Sequence, residues 1–317
     1  VTAKNAPRAK EPKDAVDGML LLNKPPGMSS NRALQAVKRL LNAKKAGHTG
    51  SLDPAATGML PLCFGEATKV CAYLLNADKT YRVTARLGSA TDTGDADGQE
   101  TATAAIPELS ADDWDAVLQT FVGKSKQIPP MYSALKKDGK RLYELARKGE
   151  TVEREPRPIT IHEIRLLECA GSRLVFRVAC SKGTYIRTLV EDIARRADTV
   201  AHTARLHRES VGPFRAEDML DLTAVEALAR DGQSALRERL LPPDVALVEF
   251  PPVCLEERAE LRFSDGQSVT VTAGNGTGLA RVYGVGHRFL GVGELLGDGK
   301  LAPRRIFLMP VKNPVEL

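Results

Sequence analysis

The apolar positions of this chain change spacing several times, and each spacing predicts a different element. Met19-Leu20-Leu21-Leu22 is a continuous apolar run closed by Pro25-Pro26-Gly27, which reads as a short buried strand ending in a turn. Ser29, Ser30 or Asn31 then caps a helix with Ala33, Leu34, Val37, Leu40 and Leu41 on one face. Ala67, Val70, Cys71 and Leu74 form a second helical stripe. Tyr81, Val83, Ala85 and Leu87 alternate with Arg82, Thr84 and Arg86, the period of a half-buried strand. Ser110 opens a helix carrying Trp114, Val117, Leu118 and Phe121. Asp138-Gly139 marks a tight hairpin, and Gly149 stops a short helix over 142–148. Residues 159–169 and 173–180 read as a hairpin joined through Gly171, and Ile186, Leu189, Val190 and Ile193 define a helix starting near Thr184.

These elements do not repeat as βαβ units, and hairpins are prominent. The pattern predicts an α+β domain: a mixed, largely antiparallel sheet flanked by helices. Pro242-Pro243 and Pro251-Pro252 punctuate the chain, and short β-like runs with glycine turns follow, among them 268–271, 279–283, 289–293 and 301–307. The expected division is a flexible basic tail over 1–16, a main domain over 17–250 and a small β domain over 251–317.

A length of 317 residues is ample for one large core plus a small one. No run approaches the roughly 20 apolar residues of a membrane span. The basic start has no apolar segment directly behind it, so no secretory signal is expected there. The five cysteines, Cys63, Cys71, Cys169, Cys180 and Cys254, form no CxxC and no zinc-ligand spacing with histidine. Most lie in apolar strand or helix patterns and read as buried free thiols in a reducing cytosol, and no metal site is expected. The net charge of +5 is modest, but its distribution is uneven. Lys124, Lys126, Lys136, Lys137, Lys140, Arg141, Arg147 and Lys148 lie close together, with Tyr132 and Tyr143 among them. Cations interleaved with aromatics suit phosphates and unstacked bases; the same run also fits a solvated helix face.

The candidate chemistry lies in Gly47-His48-Thr49-Gly50-Ser51-Leu52-Asp53-Pro54-Ala55-Ala56-Thr57-Gly58. Glycines cost a helix backbone entropy, and Pro54 pushes Asp53 towards extended geometry. The stretch therefore predicts an ordered loop that holds one carboxylate in a fixed direction. A solvated turn with Asp53 bonding its neighbours' backbone fits the local chemistry equally well.

With its flanks Lys45-Ala46 and Met59-Leu60-Pro61-Leu62-Cys63-Phe64-Gly65-Glu66-Ala67-Thr68-Lys69, the loop resembles the TruB family of tRNA pseudouridine synthases, whose G-H-T-G-[ST]-L-D-P-x-A-T-G run carries the catalytic aspartate. Further matches follow in the family's order. They are Lys24-Pro25-Pro26-Gly27-Met28-Ser29-Ser30, Lys79-Thr80-Tyr81, Pro129-Pro130-Met131-Tyr132-Ser133-Ala134 and Ser181-Lys182-Gly183-Thr184-Tyr185-Ile186-Arg187-Thr188-Leu189. The resemblance runs from Gly18 to about Phe214.

That resemblance implies a bacterial-type, stand-alone and monomeric cytoplasmic enzyme. It would isomerise the T-loop uridine at conventional tRNA position 55, with the tRNA T-arm as partner. No atoms are gained and no redox change occurs, so no cofactor is implied. Asp53 would be the nucleophile or base, acting at a flipped-out uridine. Arg187 would hold Asp53 in its charged form, although the residues alone equally allow an Arg187–Glu191 helix pair. Tyr81 would stack on the target base and offer a base for the C5 proton, while also fitting the alternating core face. His48 would stack in the RNA loop, with Tyr185 and Leu206 as further pocket walls. Residues 124–150 would form an RNA-gripping insertion, with Lys136, Lys137, Lys140 and Arg141 as its contacts. The C-terminal region resembles a PUA-type RNA-binding module. Ser51 stands where threonine is frequent, the usual glycines are absent around 193–200, and His207 takes a place often held by arginine. The alternatives are a non-catalytic RNA-binding or tRNA-folding protein of the same fold, a guide-RNA-dependent synthase, and a hydrolase using His48 and Asp53 as acid and base.

Overall fold

The computed structural model describes residues 12–271 and 276–308. The chain opens with β1 (Gly18–Lys24), α1 (Ser30–Leu40), β2 (Ala46–His48) and β3 (Thr57–Phe64), then passes through a 3-10 turn into α2 (Cys71–Asn76). Next come β4 (Lys79–Leu87), the ribbon β5 (Ser89–Thr91) and β6 (Glu100–Thr103), and α3 (Ala111–Gln119). β7 (Gly123–Gln127) precedes a second ribbon, β8 (Lys136–Lys137) and β9 (Lys140–Arg141), and α4 (Leu142–Ala146). The hairpin β10 (Arg157–Ala170) and β11 (Arg173–Cys180) leads to α5 (Ile186–Arg196), β12 (Ala201–Val211) and β13 (Leu220–Asp221). After α6 (Leu222–Asp231) and α7 (Gln233–Glu238), the second sheet region contains β14 (Pro252–Cys254), α8 (Glu257–Ser264), β15 (Val269–Thr270), β16 (Gly278–Tyr283), β17 (Phe289–Leu295) and β18 (Lys300–Ile306).

The central sheet runs β13-β1-β3-β12-β4-β11-β10-β7, with β2 also on β3. Only β1–β13 and β3–β12 are parallel, so the sheet is mixed and largely antiparallel, as the sequence predicts. β12 pairs with β3 at Thr57 and Gly58, while β2 takes residues 62–64 of the same strand. The stretch between is free of strand partners on that edge, and the Asp53 loop bridges it.

One face of β4, β11 and β10 is covered by α5 and α3. Val83, Phe176, Val178, Leu189, Ile193, Trp114 and Leu118 are buried together there. Each such side chain contributes about 1.5–3 kcal/mol on burial. The N-terminus of α3 is closed by a reciprocal cap between Ser110 and Asp113. The second sheet packs onto the first through Met19, Met59 and Val70 against Phe289, Val292 and Phe307. Lys69 Nζ lies 5.5 Å over the Phe307 ring and donates to the Ile306 carbonyl at 2.7 Å.

Several expectations need correction. The tail is shorter than predicted: Val16 is buried, Asp14 bridges to Ala43, and Asp17 accepts from the Glu66 N–H at 2.6 Å. The rest of that tail, residues 1–11, lies outside the described residues, as do 309–317 of the C-terminal region. Lys124 and Lys126 belong to edge strand β7, so the segment that leaves the sheet begins after Gln127, not at 124. β3, β12 and helices α6 to α8 were not expected from the pattern. Cys254 is exposed and Cys71 and Cys169 are half-buried, leaving only Cys63 and Cys180 in the core.

Candidate active site

The residues on both sides of Asp53 are pinned, and this fixes its direction. Ser30, at the start of α1, accepts from the Leu52 N–H at 2.7 Å and donates to the Leu52 carbonyl at 3.1 Å. The Pro54 carbonyl accepts from Lys24 Nζ at 3.1 Å and from the Gly27 N–H at 2.9 Å. Lys24 is fully buried and also donates to the carbonyls of Pro25 and Met28. Burial draws its pKa down to about 8. Beneath the loop, Arg208 is 1% exposed and donates to the Met59 carbonyl at 2.7 Å and the Gly50 carbonyl at 3.1 Å. Its guanidinium thus fills the unpaired stretch of β3. Gly58, at φ +101°, lies so close to the Arg208 backbone that an added Cβ would fall 2.3 Å from the Arg208 carbonyl oxygen. Sequence reasoning missed Lys24, Ser30 and Arg208 as supports of the loop.

Arg187, the second residue of α5, meets the loop from the other side. Its Nε is 3.1 Å from Asp53 Oδ2. Nη1 donates to the Thr93 carbonyl at 2.8 Å and to Asp95 Oδ2 at 3.2 Å, and Nη2 donates to the Tyr132 carbonyl at 2.7 Å. One buried fork therefore ties together the Asp53 loop, the 91–98 loop and the base of the protruding segment. Asp95, which the sequence pattern does not single out, is part of this clamp. The alternative Arg187–Glu191 pair does not form. Instead Glu191 packs against Gly94, where a Cβ would sit 2.6 Å from Glu191 Oε1.

Arg187 does not win the electrostatic balance at Asp53. Desolvation raises the carboxyl pKa most, Arg187 opposes it, Asp95 adds to it and Lys24 opposes it, and the net shift is upward. With 44% of its side chain exposed, Asp53 is half-screened by solvent, which moderates each of these effects. The cations keep a crowded carboxylate ionisable; they do not make it an unusually strong acid.

Tyr81 lies on β4, buried, directly across from Arg208 on β12 and Val178 on β11. Burial raises its phenol pKa and the nearby Arg208 charge opposes that rise. Tyr185 precedes α5 and is held by Gln127, which accepts from its N–H at 2.8 Å and donates to its carbonyl at 3.1 Å. Leu206 is partly buried beside the same core as Tyr81. His48 ends β2; burial lowers its pKa, with the Arg208 charge acting in the same direction, and its buried Nδ1 has no partner. A neutral ring suits stacking. Lys136, Lys137, Lys140 and Arg141 are exposed on the β8–β9 hairpin. The hairpin turns at Asp138 and Gly139, both at positive φ. Among the described residues, no group of His, Cys, Asp and Glu has metal-binding geometry, and no helix is long and apolar enough to cross a membrane.

A mixed sheet presenting a clamped carboxylate defines the fold and site, and comparison with known proteins places the chain among the pseudouridylate synthases. The N-terminal domain of the TruB family pseudouridylate synthases matches residues 38–186, and two C-terminal domains of the same proteins match 187–248 and 251–307. The tRNA pseudouridine synthase B of Nitrosococcus oceani is 50% identical over 291 residues, covering 92% of this chain and 94% of its own. That of Pseudomonas aeruginosa is 47% identical over 300 residues, covering 94% and 98%. The chain belongs to the TruB family. Among solved structures, a chain from a Cbf5-Nop10-Gar1 complex superposes with a TM-score of 0.72 at 26% identity, covering 92% of this chain and 85% of that one.

Proposed function

We propose that this chain isomerises a uridine of tRNA to pseudouridine, and that its target is the T-loop uridine at conventional position 55. The observation that carries the reading is the Asp53–Arg187 contact at 3.1 Å within a loop pinned on both sides. It stands in a chain half-identical to tRNA pseudouridine synthase B of Nitrosococcus oceani over nine-tenths of its length.

The geometry supports one role for each residue. Asp53 attacks the flipped nucleotide or removes a ribose proton, and a pre-aimed carboxylate saves the entropy of finding that geometry. Arg187 holds it there. Tyr81 walls the base and takes the C5 proton, a task that burial opposes and the Arg208 charge favours. Tyr185 and Leu206 complete the pocket, and His48 stacks where the extruded nucleotide leaves a gap. Lys136, Lys137, Lys140 and Arg141 grip backbone phosphates of the T-arm. The protein works alone, as a monomer in the cytoplasm, and carries no cofactor.

The test is conversion of an unmodified tRNA transcript, with pseudouridine mapped by chemical adduct. One modified uridine in the T-loop is expected. Binding without conversion would select the non-catalytic RNA-folding reading, and conversion only in the presence of an added guide RNA would select the guide-dependent one.

A further inference from the structure

Two of the five cysteines meet beside the first residue of the Asp53 loop. Cys63 on β3 stands opposite Gly47 on β2. The Gly65 N–H bond to Lys45 and the Thr49 N–H bond to Pro61 bracket that pair and fix its register. Cross-strand partners project to the same face with Cβ positions about 4.5–5.5 Å apart. Gly47 has no Cβ, and Cys71, the first residue of α2, fills that space: its Sγ lies 3.5 Å from where the Cβ would be. The Cys63 and Cys71 side chains therefore meet across that space, close enough for each to influence the other's ionisation. Both belong to one apolar cluster, Cys63 fully buried and Cys71 at its edge.

From this geometry we infer that Cys63 and Cys71 are an oxidisable dithiol, and that closing it to a disulfide re-seats the Asp53 loop and slows the enzyme. Cys71 is the attacking thiol. It reaches solvent, and the neighbouring Cys63 thiol and the Lys45 charge both favour its anion. Cys63 is the resolving thiol, since its Cys71 neighbour and its burial both hold it protonated. The oxidant is hydrogen peroxide. The Cys71 thiolate attacks one peroxide oxygen, the O–O bond breaks, and the departing hydroxide takes up a proton to leave as water. The resulting sulfenic sulfur is attacked by Cys63, the S–S bond forms, the S–O bond breaks, and the Cys63 proton leaves with the hydroxide as a second water. Two thiols lose two electrons and the peroxide gains them.

Closure draws the two neighbouring sulfurs together to about 2.0 Å. Gly47 separates α2 from the loop, so the movement presses on the strand that delivers His48 and Asp53. The far end of α2 moves with it, and its carbonyls at Leu75 and Ala77 hold Lys79 Nζ at 2.9 and 2.5 Å, two residues before Tyr81.

The effect on turnover rests on the proposed function; the bond itself does not. The full chain is treated with hydrogen peroxide, free thiols are alkylated, and peptides are mapped by mass. A Cys63–Cys71 linked pair is expected, reversed by dithiothreitol, with tRNA conversion at least tenfold lower while the link persists. Cys63→Ala abolishes the link, leaves a dimedone-reactive Cys71, and converts tRNA after peroxide at its own untreated rate. Cys71→Ala forms neither the link nor the adduct. Peroxide that modifies Cys71 without linking Cys63, or links other cysteines first, would overturn the bond. A linked enzyme converting tRNA at the untreated rate would overturn the switch. An untreated enzyme that converts nothing would count against the proposed function alone, with the mass result still deciding the bond.

Discussion

Replacing Arg187 with methionine separates the two things its guanidinium does for Asp53, charge and position. Unit charges about 4 Å apart attract by about 4 kcal/mol in a medium like a protein surface and about 1 kcal/mol in water. Asp53 is 44% exposed, which places the pair near the lower figure. A loss of about 1 kcal/mol is roughly a fivefold change in proton affinity. The sign follows directly. Desolvation already holds the carboxyl pKa above its ordinary value, Arg187 opposes that shift, and its removal raises the pKa further. The ionised form is then lost at a higher pH, so the acid limb of the rate profile moves upward. Well above that limb the change in charge costs little, and any loss of plateau rate reports position. Methionine leaves the Thr93 and Tyr132 carbonyls without their donor, and each buried unmade bond costs about 1–3 kcal/mol. With three loops released, the plateau rate should fall by about 10²-fold or more. Arg187→Lys keeps the charge but not the fork, so its acid limb should stay in place while its plateau still falls. The assay is single-turnover conversion of an unmodified tRNA transcript across about pH 5–9, with melting curves to confirm folding. An acid limb at the same pH in the methionine variant and the parent protein would refute the electrostatic half. A lysine variant at full plateau rate would refute the positional half.

Two further outcomes follow from the same site. Asp53→Asn should reduce conversion to background. Because folding raises the Asp53 pKa, the charge opposes folding above its unfolded value, and the asparagine variant should melt at or above the parent temperature at pH 7.5, with the gap closing near about pH 4; a clearly lower melting temperature at pH 7.5 would contradict this. Changing Lys136, Lys137, Lys140 and Arg141 together to alanine should weaken tRNA binding and flatten its salt dependence, by about 0.7–0.9 in slope for each phosphate that the protein no longer neutralises. These side chains are exposed and none of them bonds the Arg187 clamp, so the chemical step at saturating tRNA should persist; an unchanged salt slope would remove the hairpin from the RNA interface.

What the sequence made legible was local. β4 shows in the alternation of Tyr81, Val83, Ala85 and Leu87, α3 in its cap and apolar stripe, and the β8–β9 turn in Asp138-Gly139. β3 did not show, because Pro61 argues against an inner strand. The structure gives the reason it is tolerated. The Pro61 carbonyl accepts from Thr49, so its missing N–H faces the same edge, where the ladder to β2 runs out at His48. β12 was hidden by two register shifts, between Thr203 and Arg205 and between Arg208 and Ser210, which break the two-residue period. At the site, Asp53 was legible as a motif, but the reason it points where it does was not. Ser30 bonds Leu52 across 22 residues, Asp95 bonds Arg187 across 92, and Arg208 bonds Met59 across 149. No local pattern encodes a contact at such separation.

The same supports explain an imbalance of charge beneath the loop. Lys24 and Arg208 are buried, and among the described residues neither forms a salt bridge. Burying one such cation costs several kcal/mol unless its hydrogen bonds are met, and here they are met by carbonyls rather than carboxylates. A carboxylate partner would have neutralised each charge locally. Carbonyl partners satisfy the donors and leave the charge acting on its surroundings, which is why Lys24 opposes the upward shift at Asp53 and Arg208 opposes that at Tyr81. The two groups proposed to accept protons or attack carbon therefore stand over two cations held in place by backbone. Uncharged replacements such as Lys24→Met would fill the space, but the carbonyls would lose their donors and Asp53 one of the two cations that keep it ionisable.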